Sequence, residues 1–280
     1  MLIIGPHMFI AKGLAKAAQD VVDIKANTMQ FFSRNPRGSN YKKYSQKEIN
    51  DFQEIRIKNH FGPLLAHAPY TVNLASSNEK IFTFACNVIQ EDIQRMQQLN
   101  IEMFVLHPGS HVGLGVEQGI NNIIQGLNII ITGNEDIHIL LETMSGKGTE
   151  VGYRFEHLKR ILDGLEHPQK VGICLDLCHV YSAGYDIRNI DQILEEFDTI
   201  LDLRRLKAIH LNDSLTPFHS LKDRHTYIGN GSIGLESILK VLTHPKLQHI
   251  PFYIETPLDN EGHKQEIAMI RKLIAEKHSS

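Results

Sequence analysis

Eight short apolar runs recur along the chain, and their spacing constrains the fold more than any other feature. They are LIIG (2–5), TMQFF (28–32), PLLAHA (63–68), IEMFVLH (101–107), IHILLE (137–142), VGICLD (171–176), LKAIHL (206–211) and IPFYIE (250–255). Their centres lie roughly 25 to 45 residues apart, room for one strand, one helix and two loops per unit. The runs are apolar on both faces, the pattern of parallel strands covered by helices. Between them lie segments of helical period. SQKEINDFQEIRIKNHFG opens on Ser45 and Glu48, a capping box in which each side chain satisfies a free backbone N–H, and its stripe is expected to bury Ile49, Phe52, Ile55 and Ile57. The next carries Ile81, Ala85, Val88, Ile89, Ile93, Met96 and Leu99 on one stripe, and RFEHLKRILDGL, DQILEEFDTILDL and LESILKVL read the same way. Eight strand–helix units predict one domain over 1–280, a closed (β/α)8 TIM barrel, which takes about 250 residues. The alternative is an open doubly wound sheet, but no glycine-rich phosphate fingerprint follows the first run.

Composition narrows the class. With 42% hydrophobic and 22% charged residues the chain can build a packed core. No apolar run reaches bilayer length. The opening MLIIGPHMFIAKGL is broken by Gly5, Pro6 and His7 and lacks a basic leader region, so it does not read as a signal peptide. The odd set Cys86, Cys174 and Cys178 reads as reduced thiols, which predicts a cytoplasmic protein with no membrane association. A net charge of −3 gives no bulk attraction to nucleic acid. Residues 34–58 hold Arg34, Arg37, Lys42, Lys43, Lys47, Arg56 and Lys58 against Glu48, Asp51 and Glu54; this reads as a solvated face, with a phosphate track as the competing reading.

The run ICLDLCHVY ends in Asp176, Cys178 and His179. Alone it is an ordinary strand end with a capping Asp. The other runs end the same way: in His67, His107, Glu142, His210 and Glu255. In a barrel those ends converge on one face, where catalytic residues are held. The loop KDRHTYIGNG adds Asp223 and His225, which alternate and can face one ion together with His179, while Arg224 points away. Cys178 reads as a small packed thiol. Burying several carboxylates in one cavity without cations raises their pKa values or costs several kcal/mol. Divalent ions remove that conflict. Five His, two Asp and two Glu supply ligands for three ions, and the mixed nitrogen and oxygen set suits zinc best, with manganese or iron as alternatives at some sites.

HAPY (67–70), HPGSH (107–111), LETMSGKGTEVG (141–152), LDLCH (175–179), GYD (184–186), HLND (210–213), DRHTYIGNG (223–231) and ETP (255–257) together resemble the endonuclease IV family of apurinic/apyrimidinic endonucleases. The resemblance spans almost the whole chain in order. It implies a zinc-dependent DNA-repair enzyme with three Zn2+ per chain. His67, His107 and Glu142 match the first site; Glu142, Asp176, His210 and Glu255 the second, with Glu142 bridging; His179, Asp223 and His225 the third. It implies hydrolysis of the phosphodiester 5′ to an abasic site in double-stranded DNA, leaving a 3′ hydroxyl, with Glu255 orienting the attacking water and Glu142 holding the metal pair. Arg37 and Tyr70 match DNA-contact residues, and a monomer is expected. The opening GPHMFIAKG, Leu177 within LDLCH, and NEKIF depart from the usual pattern without touching a ligand.

Two rivals remain. A xylose isomerase-like sugar isomerase uses a single centre such as Glu142, Asp176, His210 and Glu255, and has no need of the other five ligands. A lesion-sensing DNA-binding module could keep the pocket for shape alone.

Overall fold

The computed structural model describes residues 2–279. Eight parallel strands form its central sheet: Ile4–Pro6, Gln30–Phe32, Leu65–His67, Met103–Leu106, His138–Glu142, Val171–Asp176, Leu206–Leu211 and Phe252–Ile254, here strands one to eight. From strand two to strand eight each pairs with the next, and strand eight pairs with strand one. A parallel bridge between His7 and Gln30, with Met8 N–H donating to the Gln30 carbonyl at 2.7 Å, closes the ring between strands one and two. Helices α1 (Leu14–Asp23), α2 (Gln46–Lys58), α3 (Glu79–Gln98), α4 (Val116–Ile130), α5 (Phe155–Asp163), α7 (Ile190–Leu201), α8 (Leu235–Thr243) and α9 (Asn260–Ser279) alternate with the strands. A short α6 (Leu177–Ala183) follows strand six directly. This is the predicted (β/α)8 barrel.

Strand parity explains where the polar residues go. Side chains alternate faces along a strand. Leu65, Met103, Val105, Leu140, Cys174, Ala208 and Tyr253 form a small apolar cluster of their own, separate from the large one that holds Ala66, Phe104, Leu106, Leu141, Leu175, Ile209 and Ile254. The small cluster plugs the barrel interior; the large one joins strands to helices. Two residues beyond Leu65, Val105, Leu140, Cys174, Ala208 and Tyr253, on the same face, come His67, His107, Glu142, Asp176, His210 and Glu255. The period of two therefore lifts every strand-end ligand into one layer above the plug. Gly5 permits closure, because a Cβ there would meet the Thr28 carbonyl oxygen at 1.6 Å.

The capping box of α2 forms with both its bonds. Two stripe expectations fail. In α2 only Phe52 is fully buried, Ile49 and Ile55 are half-buried, and Ile57 is 71% exposed, because this helix presents a narrow face to the barrel. Ile81, in the first turn of α3, is 44% exposed; the rest of its stripe is buried. Arg34 also departs from the solvated-face reading. It is buried, with Nε 2.9 Å and Nη2 2.7 Å from Asp92 and Nη2 2.9 Å from Glu91. The pair ties the loop after strand two to α3. Lys42, Lys47 and Arg56 pair with Glu48, Asp51 and Glu102.

Candidate metal centre

Three groups of side chains each bring their ligand atoms within 4.8 Å of one another: His67, His107 and Glu142; Glu142, Asp176, His210 and Glu255; and Asp176, His179 and His225. Asp223 lies beside the last group, its Oδ1 3.3 Å from His179 Nε2 and 3.4 Å from His225 Nε2. All nine residues singled out in the sequence thus converge on one face, with Glu142 shared by the first two groups. Asp176 approaches two groups, which spacing alone did not show: its Oδ2 is 3.6 Å from both His210 Nδ1 and His225 Nε2.

The histidines are held so that one ring nitrogen is left for the centre. His67 Nδ1 lies 2.6 Å from the Ala68 carbonyl, His179 Nδ1 2.9 Å from that of Thr143, and His225 Nδ1 3.1 Å from that of Glu255. A carbonyl only accepts, so each of these nitrogens carries the hydrogen. His210 donates Nε2–H to Gln30 Oε1 at 2.7 Å and turns Nδ1 toward Glu142 Oε1 at 3.0 Å. Metal-ligating histidines are oriented in this way, by donating the other N–H to a neighbouring oxygen. Gln30 also donates to Glu255 and contacts His7 Nδ1 at 2.8 Å.

The fit to a cation rests on what the protein leaves unsatisfied. Glu142 Oε2 and His179 Nε2 are buried without a hydrogen-bond partner among the described residues. Glu142 Oε2 is 3.3 Å from His67 Nε2 and 3.2 Å from His107 Nε2, so three potential ligand atoms face one point. Burial drives the Glu142 carboxyl upward, but His210, His107 and His179 outweigh it and hold it well below its ordinary value. Burial likewise opposes charge on His179 and His210, yet the facing acids push both well above theirs. At Asp223 burial is overcome by His179 and His225, which hold the carboxyl at about 2. Acids and imidazoles here neutralise one another in the place where a divalent ion would do so.

Other motif residues are structural. The Asp176 carboxylate caps α6, accepting from His179 N–H at 2.8 Å, and also accepts from Asn212 Nδ2 at 2.8 Å, so the bland reading of LDLCH and the metal reading both hold. Cys178 is buried, and burial raises its thiol to about 11, as suits a packed residue. All three cysteines are free. In GYD, the Tyr185 hydroxyl accepts from Phe155 N–H and the Asp186 carboxylate from Arg188 N–H. Arg224 is exposed, as expected.

Tyr70 stands over the centre. It is 59% exposed, with its ring 5.8 Å from His67 and 5.7 Å from His107, and its N–H donates to the Pro36 carbonyl of the neighbouring loop. Arg37 is exposed, and its guanidinium has no partner among the described residues. Sequence reasoning passed over Gln30 and gave His7 no role. The signal for Gln30 was there: a lone amide inside the apolar run TMQFF must find partners when buried. No helix of the described residues is long and apolar enough to cross a membrane.

Comparison with known proteins agrees with the geometry. A family model described as a xylose isomerase-like TIM barrel matches residues 18–273. A probable endonuclease 4 of Alkaliphilus oremlandii is 49% identical over 273 residues, 97% of each chain. Another from Akkermansia muciniphila is 48% identical, covering 97% of this chain and 99% of the relative. Among solved structures, endonuclease IV from Thermus thermophilus superposes with a TM-score of 0.86 at 29% identity, over 98% of this chain and 99% of that one. A D-tagatose 3-epimerase-like protein superposes with a TM-score of 0.75 at 21% identity, which shows a shared fold alone. Near one-in-two identity across the full length of both chains, on a barrel that sugar epimerases also use, makes this chain a member of the endonuclease IV family.

Proposed function

We propose that the chain hydrolyses the phosphodiester 5′ to an abasic site in double-stranded DNA, leaving a 3′ hydroxyl, as a zinc-dependent monomer. The observation that supports the reading is the set of eight converging side chains, with Asp223 beside them, and two orphaned buried atoms, Glu142 Oε2 and His179 Nε2. A single-metal isomerase leaves His67, His107, His179, Asp223 and His225 without a purpose. Full-length kinship with proteins named endonuclease 4 supports the same choice.

His67, His107 and Glu142 would hold one ion, Glu142, Asp176, His210 and Glu255 a second, and His179, Asp223 and His225, with Asp176 alongside, a third. Divalent ions there supply a water of lowered pKa and positive charge facing a phosphate. Glu255 is pinned through one carboxylate oxygen by Gln30, leaving the other, 3.5 Å from His210 Nδ1, to orient the attacking water. Arg37 meets the backbone by charge, and Tyr70 fills space at the lesion, where the missing base makes extrusion from the helix least costly.

The test is incubation with an oligonucleotide duplex bearing one tetrahydrofuran abasic analogue, followed by end mapping. A single cut on the 5′ side with a 3′ hydroxyl product is expected. An intact duplex with fully metal-loaded protein overturns the reading, and elemental analysis showing one ion per chain with no further uptake overturns the trinuclear assignment.

A further inference from the structure

Phe9 is the most exposed large apolar residue of the described chain, at 89%. It follows strand one in the segment MFIAKG. Leaving a phenylalanine in water forgoes the stabilisation that its burial would bring. The ring forms one wall of a groove of about 400 Å3, with Ile10, Phe32, Pro36, Tyr41 and Tyr44 among its other walls. Phe9 and Phe32 also line the cleft of about 500 Å3 that contains Asp223, His225 and Glu255. Groove and cleft are therefore neighbours that share these two rings.

The far wall is built to be stiff. Tyr41 donates its hydroxyl to Glu91 at 2.7 Å, and the Arg95 guanidinium lies 3.8 Å above the Tyr41 ring. Arg34 anchors the same loop to Asp92. The nearby loops are cationic, and the side chains of Lys12, Arg37 and Lys43 have no partner among the described residues. A rigid aromatic trough beside unpaired cations is the chemistry that binds unstacked nucleic acid: bases stack on the rings and phosphates meet the charges. The volume lies within the ~300–1,000 Å3 range of small-ligand sites.

We infer that this groove receives an unstacked nucleobase of the bound DNA, with Phe9 as its stacking face. The inference rests on the DNA-cleavage reading and extends it to a second contact outside the metal centre. Neighbouring nucleotides of a strand lie ~3.4 Å apart along a duplex, so a strand whose phosphate enters the cleft has bases within reach of the groove. Every base has an aromatic face, so the contact strengthens binding without imposing a sequence.

The chain contains no tryptophan, so Phe9→Trp places a sole fluorescent reporter in the groove. The probe is the abasic-analogue duplex, kept uncut in a Glu255→Gln background. Saturation is expected to quench the Phe9→Trp emission, whereas an oligomer of the tetrahydrofuran phosphate alone, which has no bases, leaves it unchanged. Phe9→Ala is expected to weaken the Kd about tenfold, and Phe9→Trp to restore it. Because Phe9 is exposed and touches no ligand, metal content and thermal midpoint stay at their wild-type values. Undiminished affinity in Phe9→Ala, or unchanged emission at saturation, overturns the inference. Failure of the wild type to cut the duplex overturns the cleavage reading instead, and the affinity and fluorescence results still decide the groove.

Discussion

Two sets of carboxylates lie close together on the barrel's mouth, and the protein satisfies them in opposite ways. Asp213 accepts from the backbone N–H groups of Ser214 (2.7 Å), Gly229 (3.1 Å), Gly231 (3.1 Å), Ile233 (3.0 Å) and Gly234 (3.2 Å). Glu266 accepts from Ile228 N–H at 3.0 Å and from the Thr256 hydroxyl at 2.8 Å. These acids fold the YIGNG loop and brace it against the end of strand eight. Gly231 is dictated by the approach, since a Cβ there would lie 2.4 Å from Asp213 Oδ1. Glu142, Asp176, Asp223 and Glu255 instead face imidazoles, and Glu142 Oε2 faces no donor that it can use. Burial of an acid is therefore no sign of a site; what its lone pairs meet is. An acid wrapped in N–H groups is a brace; Glu142, whose Oε2 meets only other candidate ligand atoms, is fitted to a cation.

Removing the cation breaks that contrast most sharply. Chelation is expected to abolish incision of the abasic-analogue duplex while α2, the plug and the Asp213 loop stay folded, as read by circular dichroism; unaffected cleavage after verified metal loss would refute it. Glu255→Gln keeps the shape of a ligand but removes its charge, and about 10²–10⁴-fold in kcat should go with most of the metal retained. Turnover at the wild-type rate in that variant removes Glu255 from the chemistry.

Asp213→Ala probes the other set. Several backbone donors lose their acceptor in a buried place, so a loss of about 3 kcal/mol in unfolding free energy is expected from denaturant titration. An equal loss for Glu142→Ala in chelated protein would erase the distinction between brace and site. Gln30→Leu is a finer cut: it removes the group that sets the His210 tautomer, and about 10–100-fold in metal affinity should follow, read by competition with a chelating dye.

The smallest effect is one of pH. In metal-free protein His179 and His210 have folded pKa values raised above the unfolded value of about 6.5. Their contribution to stability is full below that value and is lost as pH rises through the folded values. The thermal midpoint of chelated protein should therefore fall on raising pH from about 6 toward 9. Zinc binding should tighten over the same range, because the ligand imidazoles must shed their protons. A flat profile in the chelated protein would mean that the acids and imidazoles are not paired as described.

Much of this was legible in the residues themselves. A strand's period of two and a helix's period of 3.6 are local properties, so the eight runs, the α2 capping box and the ring from His67 to Glu255 could be read in order along the chain. The resemblance to endonuclease IV was legible for the same reason, since its motifs sit at those strand ends. Ile57, Ile81 and Arg34 were misplaced because burial depends on how far a partner element extends, which periodicity does not encode.

The sequence by itself determined the barrel, the side of it that carries the ionisable groups, and which nine side chains converge there. The tertiary structure alone decided how those groups are satisfied. In HLND and LDLCH two aspartates stand at similar strand ends, yet Asp213 is closed off by backbone donors arriving from Gly229 to Gly234, while Asp176 gives one oxygen to cap α6 and turns the other toward His210 and His225. Gln30 reaches its partners across 180 and 225 residues of chain. Hydrogen-bond satisfaction is a property of atoms that meet in space, and only closure of the ring brings those atoms together.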